Sequence, residues 1–222
     1  MWIAHYASGL VAKPFAPGVP LWLLALAGAL PDAVFFVLNF LGIESFQVDP
    51  GLQKKGCFPY ATDYPYSHSL AGMFVVGAIL AAVYKTQTRR QVSFQDLAVI
   101  TLTSGSHFLL EWPSHRADVK VMPHDNTSFG AGLFDHPGLI FVSETLIFLA
   151  GLWVYTSFAP LATRSGYKQN MNWFWAVIGV MVMQQAQFSL NAAPTTETRW
   201  VHAPAFLGEI LGSAWLLGKL EG

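Results

Sequence analysis

Residues 21–43 read LWLLALAGALPDAVFFVLNFLGI. A hydrocarbon core ~30 Å thick is crossed by about 20 predominantly apolar helical residues, and this stretch supplies them. Its one ionisable side chain is Asp32, directly after Pro31. Pro31 has no N–H to bond the preceding turn, so the helix is expected to kink there. An Asp can also cap a restarted helix, and that reading of Asp32 stays open.

Composition agrees with a lipid-facing chain. Hydrophobic residues make up 53% and charged residues 11%, against roughly 25% charged in soluble domains. Mean hydropathy is +0.41. A disordered chain and a typical cytosolic enzyme are excluded. The expected fold is all-α: a polytopic membrane helix bundle of five to six transmembrane helices plus a short N-terminal helix, with residues 1–222 forming one membrane-embedded domain. Net charge is −1, and no Lys/Arg tract offers a nucleic-acid footprint. Cys57 is the one cysteine, so no internal disulfide forms. The N-terminus lacks a basic region before an apolar run and reads as mature protein.

Outward from 21–43, residues 2–12 (WIAHYASGLVA) are too short to span and are expected to form an interfacial or re-entrant helix, ended by KPFAPGVP at 13–20. Further spans are expected at about 68–84, 94–112, 138–158 and 172–193, with a short sixth stretch at 203–220. Residues 44–66 and 113–137 read as long polar loops. If the basic 85–93 connection is cytoplasmic, that side holds Lys13, Lys85, Arg89, Arg90, Arg164, Lys168 and Lys219. Lys54, Lys55, Arg116, Lys120 and Arg199 lie opposite. The bias places both long loops outside the cytoplasm.

An ionisable group in hydrocarbon costs about 2.5–3.5 kcal/mol or more, so it needs a partner or a function. Asp32, His107, Glu111, Glu144 and Glu209 fall in expected spans, and His68 falls at a span boundary. His107 and Glu111 are four apart and share a helix face. They read as two ligands of one ion or as a pair that braces the bundle. His115 continues the face if the helix survives Pro113. Ser67 reads as a helix N-cap ahead of His68. Glu144 and Glu209 read as supports for ligating histidines or as links between helices, Gln184, Gln185 and Gln187 being their candidate partners. His124–Asp125 and Asp135–His136 read as solvated loop residues. Imidazole and carboxylate ligands without thiolate suit Zn, Mn or Fe.

Taken in order, these motifs resemble a group of small membrane-bound proteins classed as metal-dependent hydrolases. Such proteins carry an N-terminal His followed by Gly (His5, Gly9), a Pro-Asp in the first long helix (Pro31-Asp32), a Ser/Thr-His-Ser motif (Ser67-His68-Ser69) and a His-x3-Asp pair (His107, Glu111). The likeness is nearest to a multi-spanning branch with a YPYSHSL-like stretch (Tyr64 to Leu70), a further His and Asp (His115, Asp118) and a Gly-x-Gly-Leu segment (Gly130 to Leu133). It covers residues 5 to about 150. Glu111 departs from the usual Asp, which moves the carboxylate by about one methylene.

The resemblance implies one divalent metal held by His5, Asp32, His68, His107 and Glu111, zinc first and Mn or Fe next. Glu111, His115 and Asp118 would move protons. The expected function is hydrolysis of an ester or phosphoester of a lipid-like or amphiphilic substrate by metal-activated water. Two alternatives stand beside it: a non-enzymatic membrane protein with an ion or proton path, and a metal-dependent lipid-modifying enzyme that is not a hydrolase. One geometric condition applies. Asp32 lies about ten residues, ~15 Å, from the outer end of its helix. It meets His68 only if that helix breaks or the next one starts below the surface.

Overall fold

The structure is a computed structural model and describes residues 2–53, 56–192 and 195–221. Lys54 and Lys55, two of the loop charges counted above, lie outside the described residues. Helix α1 (Ala4–Ala12) leads through a 3-10 turn into α2 (Leu21–Leu41). A two-stranded hairpin follows, β1 (Ser45–Val48) and β2 (Tyr60–Asp63). Next come α3 (Leu70–Gln87), α4 (Phe94–Gly105) and α5 (His107–Ser114). Then follow α6 (Pro137–Phe158), the short α7 (Pro160–Arg164), α8 (Met171–Leu190) and α9 (Ala203–Gly218).

The fold is mainly helical, but the hairpin makes it not strictly all-α. The strands pair antiparallel with Ser45 opposite Asp63 and Val48 opposite Tyr60. Phe46 and Tyr60 turn inward and meet edge to face with centroids 5.0 Å apart. This anchors part of what reads in the sequence as a polar loop.

Among the described residues three helices are long and apolar enough to cross a membrane: α2, α3 and α6. That is fewer than the five or six expected, and the shortfall has local causes. The 94–112 stretch divides at Ser106 into two shorter helices. Ser104-Gly105-Ser106 is a poor helix interior, because Gly and Ser are weak helix formers. Helix α9 has 16 residues, about 24 Å of helix at 1.5 Å per residue. Helix α8 has 20 residues, but Asn172, Gln184, Gln185 and Gln187 dilute its apolar character.

Two helices bury more than a membrane surface requires. Helix α2 runs unbroken through Pro31, with Leu21, Leu24, Ala25, Ala27 and Gly28 buried. Helix α1 is interior rather than interfacial: His5, Tyr6, Ala7, Gly9 and Leu10 are buried. Glycines let these two helices touch. A Cβ on Gly9 would lie 2.4 Å from the Leu24 carbonyl carbon, and one on Gly28 would lie 2.1 Å from the His5 carbonyl oxygen. Such close approach is the use of small residues at helix crossings within membranes.

Polar groups fix both ends of the bundle. Glu144 on α6 accepts from the Trp2 amide at 2.5 Å and the Ala4 amide at 3.4 Å. Gln185 on α8 accepts from the Ile3 amide at 3.2 Å. The first amides of a helix have no internal partner, and these two side chains supply partners to α1. Glu144 thus links helices, one of the two roles open to it from sequence. At the other end, buried Lys13 pairs with Glu221 and donates to the Val19 carbonyl at 2.6 Å. Glu221 also accepts from the Leu21 amide at 2.7 Å, which joins the end of the chain to α2.

Candidate metal centre

Helix α5 builds the site by its period. His107, Glu111 and His115 are spaced by four, and the helix continues through Pro113, so the His115 amide still bonds the Glu111 carbonyl at 2.9 Å. All three side chains are buried. The α1–α2 crossing brings the second half. His5 lies against Asp32, Nδ1 to Oδ2 2.9 Å. It also faces Glu111, Nε2 to Oε1 2.8 Å. Asp32 therefore caps nothing.

His68 arrives from the loop before α3. Its Nε2 is 3.2 Å from Asp32 Oδ1. The distance between Asp32 and the outer end of α2 is bridged from the loop side: α2 does not break, and the loop ahead of α3 carries His68 in to Asp32. The N-cap of α3 is Ser69, whose hydroxyl accepts from Gly72 N at 3.1 Å, not Ser67. Ser67 has another task. Its hydroxyl donates to Glu44 at 2.6 Å and lies 2.9 Å from His68 Nδ1. Glu44 is held by the Tyr66 and Ser67 amides at 2.7 and 2.9 Å.

These outer contacts fix how the rings present themselves. The Ser67 proton is used on Glu44, so Ser67 must accept from His68 Nδ1–H. In a neutral ring that turns the Nε2 lone pair to Asp32. His107 Nδ1 lies 2.8 Å from the Gly28 carbonyl, which can only accept. Neutral His107 therefore presents an Nε2 lone pair, 3.6 Å from Asp32 and 3.7 Å from Glu111. His5 Nε2 and His107 Nε2 are fully buried and have no hydrogen-bond partner among the described residues. The His5–Glu111 approach is close but not aligned as a hydrogen bond. Imidazole lone pairs and carboxylates crowding one buried point form an arrangement that a cation resolves.

His115 is buried against Glu111 through Nε2. On its other side, Nδ1 lies 3.0 Å from Asp118 and 2.8 Å from the Tyr64 hydroxyl. Asp118 also accepts from Thr62 at 3.1 Å. Burial alone would lower the His115 pKa, but Glu111 and Asp118 raise it to about 9. Burial pushes the Tyr64 phenol well above its usual value, and Asp118 adds to the shift.

The cluster adjoins a small cavity of about 40 Å³, whose polar wall is Asp32, His68 and His115 and whose other walls are aromatic, Phe35, Phe46 and Phe58 among them. Tyr60, Phe188 and Phe206 separate it from a larger cavity of about 330 Å³ that Gln184, Gln187, Asn191 and Glu209 line. Glu209 therefore stands apart from the histidines. Away from the core, Asp135 pairs with Arg116 at 2.5 Å rather than standing solvated, and Asp125 accepts from the Met122 amide at 2.8 Å.

The structure thus brings together His5, Asp32, His68, His107, Glu111 and His115, with Asp118 behind His115. Three overlapping groups among the first six could hold a metal ion. Sequence reading missed Glu44, Thr62 and Tyr64, all of which support the site. A helical bundle with, among the described residues, three helices long and apolar enough to cross a membrane and a buried histidine–carboxylate cluster is the class these observations define. No family model, curated protein or solved structure matches the chain, so its likeness to the hydrolase group rests on the motifs themselves.

The Glu44–Ser67–His68 relay leads to one expectation. Ser67→Ala should weaken divalent-ion binding about 10–100-fold, the usual cost of losing such an outer partner, while Glu44 keeps its two amide bonds and the fold is retained. Competition against a chromogenic chelator measures it, and an unchanged affinity would mean that Ser67 does not orient His68.

Proposed function

We propose that this chain is a membrane-embedded, metal-dependent hydrolase acting on an ester or phosphoester of a lipid-like or amphiphilic substrate. The observation that carries the reading is the convergence of His5, Asp32, His68, His107 and Glu111 on one buried point, with ring nitrogens turned toward carboxylates. Imidazole with carboxylate favours zinc, then Mn or Fe. A divalent ion held there supplies a Lewis acid and acidifies a water to a pKa of about 7.

The chain's own residues do the rest. Glu111 and His115 border the cluster and are placed to move protons. Asp118 and Tyr64 position the His115 ring. The aromatic walls keep bulk water from the polar one. The neighbouring cavity, lined by amides and Glu209, suits the polar part of an amphiphile, whose apolar part would stay among the aromatic rings. We also take α4–α5, α8 and α9 to complete the bundle within the bilayer. Their outer faces carry exposed Leu102, Leu109, Trp175, Met183 and Trp215, more apolar surface than a water-facing bundle presents.

Metal analysis of the purified chain tests the reading, alongside His68→Ala and His107→Ala. The expected result is stoichiometric metal and turnover on an ester or phosphoester panel, both lost in each variant. Wild-type protein free of metal, prepared where known metalloproteins retain theirs, would sink it. Metal with no turnover would overturn the hydrolase assignment.

A further inference from the structure

The cluster offers more ligands than one ion can use. Zinc in proteins is almost always four-coordinate in structural sites and keeps three protein ligands in catalytic ones. Here six buried residues supply nitrogen or carboxylate oxygen within reach of one another, in three groups that share members: His5 with His107 and Glu111, Asp32 with His68 and His107, and His68 with Glu111 and His115. Glu111 divides them. Its Oε1 faces His5 at 2.8 Å and His107 at 3.7 Å, and its Oε2 faces His115.

His115 is also built like the other ligands. His68 and His107 each have Nδ1 engaged by an outer partner and present Nε2 inward. His115 does the same, with Asp118 and Tyr64 on Nδ1 and Nε2 facing Glu111. A carboxylate behind a histidine is the usual support of a metal-binding ring. From sequence, His115 shares the His107 and Glu111 face only if the helix survives Pro113, and α5 does run through it.

We infer that the site holds two divalent ions bridged by Glu111, with His5, Asp32 and His107 on one side and His68 and His115 on the other. The inference rests on the proposed metal centre and makes His115 a ligand instead of a proton acceptor. Paired ions about 3.5–4 Å apart clamp both the attacking and the leaving oxygen in displacement at phosphorus. Only Asp32 and Glu111 carry negative charge into this inner set. Two divalent ions would leave it positive, so it would favour the phosphoester arm of the substrate class.

The test is metal-to-protein stoichiometry of the full chain in detergent, reconstituted with Mn²⁺ and read both by elemental analysis and by electron paramagnetic resonance. Two ions per chain with an exchange-coupled spectrum is expected, and His115→Ala should keep one ion with an isolated-Mn²⁺ spectrum. One ion per wild-type chain, or a wild-type spectrum of isolated ions only, would overturn the pair while leaving the single-metal centre standing. No metal at all would overturn both. Because the coupled signal is read on wild type, the result does not depend on the variant folding.

Discussion

Gly28→Ala should abolish metal binding at the proposed centre although residue 28 is not one of its candidate ligands. An added Cβ would stand 2.1 Å from the His5 carbonyl oxygen and 3.2 Å from its carbonyl carbon, separations that force backbone apart rather than rotate a side chain. Helix α1 must move off α2, and His5 moves with it. The same residue's carbonyl accepts from His107 Nδ1 at 2.8 Å, so a second ring loses its orientation if α2 yields instead. Overpacking of this kind costs on the order of 3 kcal/mol, and a shift of ~1 Å at a reacting centre can cost about 100-fold in rate.

The expected result is therefore a melting temperature lower by roughly 6–12 °C, metal affinity reduced at least about 10-fold, and turnover of the proposed ester or phosphoester substrate close to background. Gly179→Ala on α8, where a Cβ meets nothing within 4 Å, is the control and should be neutral or slightly stabilising. Melting curves and metal titration in the same detergent decide the matter. A Gly28→Ala protein that melts and binds metal like wild type would remove the α1–α2 crossing from the account of the site.

That crossing also explains which parts of the site could be read in advance. His107 and Glu111 are four apart on one helix, so the sequence alone places them together, and His115 joins their face because the helix continues through Pro113. His5 and Asp32 meet because two glycines allow two helices to touch, and no local pattern announces which helices cross. Glu44 could not be found from spacing: it sits in a loop, and its role depends on the hairpin returning the chain to Ser67. The same division holds for the fold. The apolar runs of α2, α3 and α6 are legible because hydropathy sums over a window. The break at Ser106 and the short hairpin are decided by a few residues each, and tertiary packing settles them.

Metal removal should destabilise the protein, and the size of the effect follows from linkage. An ion that binds only the folded chain stabilises it by about 4 kcal/mol when present at 1,000 times its Kd. For a chain of this length that corresponds to a melting temperature higher by roughly 8–16 °C. Stripping with a chelator reverses the gain and leaves Asp32 and Glu111 facing His107 at 3.6 and 3.7 Å with no cation between them. Zn²⁺ should restore the wild-type melt. Mg²⁺ should not, because an imidazole-rich set selects borderline metals over those that prefer oxygen. In His107→Ala the melt should respond less to chelator and Zn²⁺ than wild type does, since the group formed with His5, Asp32 and Glu111 has lost a ligand. Calorimetry on depleted, reloaded and variant protein makes the comparison. Identical melts before and after verified depletion would mean that the buried cluster is held by protons rather than metal, with His5 and His115 as imidazolium opposite Asp32 and Glu111.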